Sequence, residues 1–159
     1  MKPKHVYNIV IQTTNALLWD AITNPDITEH YFFNLRVDSD WSVGSEVVYV
    51  NGEGEDIIRG EILEVNPISR VVYSFRGHVD EDGRRDPFTR VTFEIESLHD
   101  NACRLIVIHD QFDEENTTYG NVGGGWPTIL SGLKTLLETG RSLELDVTNV
   151  ACGGEEEKE

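Results

Sequence analysis

Along this chain the apolar positions change period three times, and the changes divide it into four stretches. Residues 4–13 (KHVYNIVIQT) alternate apolar and polar side chains and are rich in β-branched residues, which predicts a strand. Ala16, Leu17, Trp19 and Ile22 then recur at helical spacing, with Leu17 and Trp19 leaning inward and Thr14 placed to cap the first turn. Asn24-Pro25-Asp26 closes that helix and opens a second short one, since proline suits a helix start. The second helix carries Ile27, Tyr31, Phe32 and Phe33.

From residue 35 the period is two. It predicts strands at 35–38, 45–51, 56–66, 70–77, 88–97 and 102–112. The breaks hold turn residues: Asp40-Trp41-Ser42-Val43-Gly44, Asn51-Gly52-Glu53-Gly54, Asn66-Pro67, Asp80-Glu81-Asp82-Gly83 and His99-Asp100-Asn101. Six strands joined by hairpin-length connections make an antiparallel meander.

Beyond Phe112 come the acidic Asp113-Glu114-Glu115 and then Gly123-Gly124-Gly125. Trp126, Ile129, Leu130, Leu133, Leu136 and Leu137 follow at i, i+3, i+4, i+7, i+10 and i+11, one face of a long helix. Pro127 fits its first turn and Gly140 its C′ position. On this reading the helix begins at Trp126, and the three glycines are its approach or a hinge. Gly132 lies on or near the apolar face, where glycine costs about 1 kcal/mol relative to alanine. Close approach to the sheet or to a ligand would offset that cost. Residues 1–145 read as one domain. Residues 146–159, ending Gly-Gly-Glu-Glu-Glu-Lys-Glu, have almost nothing to bury and read as a disordered acidic tail.

Composition narrows the function more than the fold. The 159 residues fit one domain and can bury a core without metal or disulfide support. Net charge is −16, with 13 Lys and Arg against 29 Asp and Glu. Nucleic-acid binding needs cations to neutralise phosphates, so DNA and RNA are excluded as partners, as is docking on anionic membrane. The acidity serves solubility, or a basic protein partner. No apolar run approaches the roughly 20 residues that span a bilayer, and the charged N-terminus leads into a strand instead of a signal peptide. A cytoplasmic location follows as the expectation. Cys103 and Cys152 have no metal-like or redox-like spacing and read as free thiols. His5, His30, His78, His99 and His109 are scattered, with no zinc spacing among them. No nucleophile elbow, P-loop or dinucleotide fingerprint is present, so neither a metal nor a cofactor is expected.

The order of elements and several local runs together resemble the START-like (SRPBCC) superfamily. Leu18-Trp19-Asp20-Ala21-Ile22-Thr23-Asn24-Pro25 resembles that superfamily's first-helix pattern. Four further runs are similar to one branch, homologous to the C-terminal domain of the heat-shock-chaperone ATPase activator. These are Tyr31-Phe32-Phe33 followed by Ser39 through Ser45; Gly60 through Pro67; Val72-Tyr73-Ser74-Phe75; and Gly124-Gly125-Trp126-Pro127 through Leu130, Leu133-Lys134 and Leu137-Glu138. The resemblance covers about residues 5–140. It implies an α+β helix-grip fold: a curved antiparallel sheet, one N-terminal strand plus a six-strand meander, wrapped around a long C-terminal helix. Two short helices lie between strands one and two. A single-domain member of the branch is not thereby a chaperone activator, because fold does not settle function.

In such a fold the concave sheet face and the helix leave an apolar cavity, the usual form of a small-molecule site. Alternation places Tyr73 and Phe75 in one inward phase, Val91, Phe93 and Ile95 in a second, and Leu105, Val107 and His109 in a third. The expected ligand-lining set is Tyr31, Phe33, Trp41, Tyr73, Phe75, Phe93, His109, Trp126, Ile129, Leu130 and Leu133, with no catalytic residue assigned. Each aromatic serves equally to fill the core, and Trp41 lines the mouth or plugs the sheet end. His109 is either a core histidine with a hydrogen-bond partner, or a polar handle or acid/base group facing the cavity. Arg59, Arg76 and Arg90 fall in outward or uncertain phases; an inward one would point to an anionic head group. The leading expectation is binding of an apolar or aromatic small molecule. The alternatives are an enzyme of cyclase or hydrolase type using His109, and a chaperone-associated interaction protein. A chaperone or a second copy of the chain is the expected protein partner.

Overall fold

The computed structural model describes residues 2–77, 83 and 85–144. The elements run β1 (His5–Ile11), α1 (Asn15–Thr23), α2 (Pro25–Thr28), β2 (Arg36–Ser39), β3 (Glu46–Val50), β4 (Asp56–Asn66), β5 (Arg70–Phe75), β6 (Thr89–His99), β7 (Ala102–Asp110) and α3 (Thr117–Thr139). The seven strands form one antiparallel sheet in the order β1-β7-β6-β5-β4-β3-β2. The meander therefore runs consecutively from β2 to β7, and β1 adds at its far edge. The long helix packs on the inner face, giving the α+β helix-grip architecture. Most of the Asp80–Gly83 turn, Cys152 and the tail lie outside the described residues.

Alternation decides which face is inner. Val71, Tyr73 and Phe75 on β5, Val91, Phe93 and Ile95 on β6, and Cys103, Leu105, Val107 and His109 on β7 are all buried. The opposite phase carries ion pairs: Arg90 grips Asp110 with two bonds of 2.9 and 2.8 Å, Arg70 pairs with Glu64 and Glu94, and Arg104 with Glu96. The strand arginines are thus committed to the outer face. Arg59 bridges Glu46 and Asp56, and Arg76 lies over the Phe88 ring.

Three local expectations need correction. In α1 the buried residues are Leu18, Ala21 and Ile22, while Leu17 is 56% exposed; the apolar stripe is rotated by one residue. The second helix is a single turn, capped by Asn24 with Pro25 first, and it ends before Tyr31. Tyr31 and Phe32 follow in turns, and Phe33 (φ 53°) and Asn34 (φ 63°) take the left-handed conformation, which stops a helix. The largest correction concerns α3. It starts at Thr117, nine residues before Trp126, so Gly123-Gly124-Gly125 and Pro127 all lie inside it. Asn116 caps it by accepting the Tyr119 N–H at 2.9 Å, and Gly140 (φ 78°) ends it.

The edge strand β1 is guarded by α3. Lys134 donates to the Val10 carbonyl at 2.7 Å, and Glu138 accepts the Gln12 N–H at 2.8 Å. Groups that would otherwise invite pairing with another strand are thereby occupied. Among the described residues no helix is long and apolar enough to cross a membrane.

Candidate functional site

The space between the concave sheet face and α3 is filled mainly by aromatic rings. Phe32, from the turn after α2, stacks on Tyr49 of β3 at 4.5 Å between centroids and presents an edge to Trp126 of α3 at 6.0 Å. Phe93 of β6 meets Trp126 edge-on at 5.8 Å. What remains unfilled is a gap of about 10 Å³ walled by Phe32, Ile58, Phe75, Val122, Gly125, Trp126 and Ile129. That is about one water in size, and its walls are apolar, so water gains no hydrogen-bond partners there.

Two polar groupings lie inside this apolar wall. The first centres on His109, which is fully buried. The Trp126 indole N–H can only donate, and it donates to Nδ1 of His109 at 3.0 Å. Nδ1 is therefore unprotonated and the proton sits on Nε2, which donates to the Thr89 hydroxyl at 2.7 Å. Thr89 in turn donates to the Phe75 carbonyl at 3.2 Å. The chain Trp126, His109, Thr89, Phe75 ties α3 to β7, β6 and β5 with every member satisfied. Burial, reinforced by His5 and opposed by Asp110, pushes the imidazole pKa down to about 3, so it is neutral at physiological pH. Its two nitrogens are held by a tryptophan and a threonine, so in this conformation it is a structural histidine and presents no free nitrogen to the gap.

The second grouping is the pair of hydroxyls of Tyr49 and Tyr73, 2.7 Å apart and buried. Nearby, the Tyr31 hydroxyl donates to the Ala21 carbonyl at 2.7 Å. Burial raises the pKa of Tyr73, and that of Tyr31 well above the ordinary range, so both remain neutral phenols. Among the described residues no charged side chain lines the gap.

The predicted set divides accordingly. Phe75, Trp126 and Ile129 wall the gap. Tyr73, Phe93, His109, Leu130 and Leu133 are buried around it in the same core. Tyr31 and Phe33 instead line an outer groove of about 220 Å³ between the turn after α2 and α3, where Gly132 lets the helix approach Tyr31. A Cβ on Gly132 would sit 3.3 Å from the Tyr31 Cβ, a tight contact that the glycine avoids. Trp41 (φ 58°) is half-buried and packs against the core, away from both spaces. Phe32, expected beside Tyr31 and Phe33, walls the gap, while sequence reasoning omitted Ile58, Thr89, Val122 and Gly125 from the site. Thr89 shares the inward phase of Val91 and Phe93, and Val122 lies one turn before Trp126, so both signals were present.

Cys103 is a buried free thiol donating to Asn15 Oδ1 at 2.8 Å, and burial raises its pKa. Among the described residues no three His, Cys, Asp or Glu side chains gather closely enough to hold a metal ion.

This fold has solved relatives. A Mesorhizobium loti protein superposes with a TM-score of 0.71 at 24% identity, covering 86% of this chain and 97% of that one. The Aha1 dimer from Colwellia psychrerythraea gives 0.69 at 18%, covering 88% and 99%. An HSP90 activator from Plasmodium falciparum gives 0.69 at 18%, covering 85% and 96%. At these identities the likeness is one of fold. A comparison with curated proteins gives no match. The sequence itself decides the family: the model of the Activator of Hsp90 ATPase homolog 1-like protein family matches residues 12–138, most of the chain, and the chain belongs to that family.

Proposed function

We propose that this protein binds a small, uncharged, apolar or aromatic molecule between the concave sheet face and α3. The observation that carries the reading is the apolar gap under Val122, Gly125 and Trp126, where α3 does not meet the sheet fully. Its walls carry no charge, so a charged ligand would lose its hydration without compensation. The ligand-lining residues are those around the gap, Phe75, Trp126 and Ile129, with Tyr73, Phe93, His109, Leu130 and Leu133 behind them. Tyr31 and Phe33, on the outer groove, and Trp41, away from the gap, fall outside the proposed set. At about 10 Å³ the gap admits no organic molecule without movement of its walls, so binding involves opening.

The test is a titration with N-phenyl-1-naphthylamine, a neutral dye that brightens in apolar surroundings. Saturable binding is expected. Val122→Ile adds one methylene to a gap the size of one water, so it should weaken binding while the fold is retained. Absence of saturable binding, or binding indifferent to Val122→Ile, would overturn the reading.

A second reading, association with a heat-shock chaperone, is favoured by the family match and by the structural neighbour described as an HSP90 activator. It predicts stimulation of the chaperone's ATPase by this chain, and an unchanged rate at saturating protein removes it. A homodimer is proposed on the same footing, from the neighbour described as a dimer, and sedimentation of the full chain tests it.

A further inference from the structure

Helix α3 is built of two unequal halves. From Trp126 onward, Trp126, Ile129, Leu130 and Leu133 are all buried, and Trp126 is pinned through His109. From Thr117 to Val122 only Thr118 and Val122 are buried. Between them stand Gly123, Gly124 and Gly125, followed by Pro127. Proline has no N–H, so the Gly123 carbonyl lacks the bond that residue 127 would otherwise give it. The Tyr7 hydroxyl supplies one from β1 at 3.4 Å, and the Thr128 hydroxyl reaches the Gly124 carbonyl at 3.4 Å. Glycines next to a broken helical bond are where a helix bends.

The first half is held by side chains from outside the helix. Asp86, on the connection between β5 and β6, accepts both the N–H (2.9 Å) and the hydroxyl (2.6 Å) of Thr118. On the other side His5 stacks on Tyr119 at 4.1 Å and donates to its carbonyl at 2.9 Å. Val122 and Gly125 form the cover of the apolar gap.

We propose that Thr117–Val122 is the door of the interior site, hinged at Gly123–Pro127 and latched shut by Asp86 on Thr118. The inference rests on the ligand-binding reading above and adds the route by which a closed gap is reached. Removing the latch speeds opening, and stiffening the hinge slows it. Gly124 is the residue with which to stiffen, because a Cβ there meets nothing within 4 Å. Gly123 is not, because a Cβ there lies 2.9 Å from the His5 ring.

Amide hydrogen exchange on the full chain tests the door directly. In the unmodified protein, amides 119–122 should exchange by local opening, faster than amides 130–136. Asp86→Ala should speed amides 119–122 by about tenfold or more, with 130–136 unchanged. Thr118→Val, which removes only the hydroxyl, should act in the same direction and more weakly. Gly124→Ala should slow the same amides by about fivefold. Equal rates in the two halves of the unmodified protein would overturn the proposal, as would an Asp86→Ala effect shared by both halves.

Stopped-flow binding of N-phenyl-1-naphthylamine separates this inference from the reading beneath it. Asp86→Ala should raise both association and dissociation rates, and Gly124→Ala should lower both. Dye binding at rates indifferent to both variants overturns the door and leaves the ligand reading standing. No dye binding in any variant, with the exchange pattern intact, overturns the ligand reading and supports the door.

Discussion

The two halves of α3 lie on one continuous helix yet are held by different physics. The second half is secured by burial: four large apolar side chains at helical spacing press into the sheet, and one of them also donates a hydrogen bond inside the core. The first half is secured by its surroundings, through the Asn116 cap, the Asp86 carboxylate and the ring of His5. A helix whose stability comes from its own apolar face is independent of its neighbours' loops. One held by caps and borrowed contacts can be released piece by piece, and in this protein the releasable half covers the gap.

The largest effect should come from breaking the second half. Trp126→Ala removes a fully buried ring and leaves Nδ1 of His109 without its donor. Loss of about 3–5 kcal/mol of global stability is expected. Tyr119→Ala, in the first half, should cost clearly less, since the ring is only partly buried. Urea unfolding of the two variants measures the contrast, and similar losses would erase the distinction between the halves.

The same comparison explains what was legible in the sequence. Strand alternation set the inner face of β5, β6 and β7 because burial on one side of a sheet imposes period two. Trp126 through Leu137 was legible as a helix for the corresponding reason. Thr117–Gly125 was not, because what forms it is not periodic. Three glycines and a following proline read locally as a break, and the contacts that override them come from Asp86 and His5, 32 and 114 residues away in the chain. The end of the second short helix was obscured likewise: Tyr31, Phe32 and Phe33 have the composition of an apolar face, and nothing in them announces the left-handed backbone of Phe33 and Asn34. For the site, alternation placed His109 inside. Its partners could not be read, since Thr89 and Trp126 reach it from different elements.

His109 sharpens the account of the second half through pH. Unfolded, the imidazole takes a proton near pH 6.5; folded, it refuses one until about pH 3. Between those values the unfolded chain binds more protons, so stability is complete above about pH 6.5 and falls as pH drops toward 3, by about 1.4 kcal/mol per unit. His109→Phe removes that slope. At pH 7 the variant should be less stable than the unmodified protein, because the Trp126 N–H loses its acceptor. By pH 4 the difference should shrink by about 3 kcal/mol. Urea midpoints at the two pH values give the answer, and a difference that stays constant would mean that His109 is not held neutral in the folded state.

The smallest effect lies at the boundary between the halves. Tyr7 donates to the Gly123 carbonyl, which Pro127 deprives of its i+4 donor. At 3.4 Å the bond is long, and Tyr7→Phe should cost about 0.5 kcal/mol. Pro127→Ala restores an N–H four residues beyond that carbonyl and should raise stability, since proline is the least favourable residue in a helix interior. Once that internal bond exists the tyrosine hydroxyl is redundant, so Tyr7→Phe should cost nothing in the Pro127→Ala background. A double-mutant cycle measures the coupling, which should be close to the whole Tyr7→Phe effect. Additive behaviour would show that the hydroxyl acts elsewhere, and the break in α3 would then depend on its glycines alone.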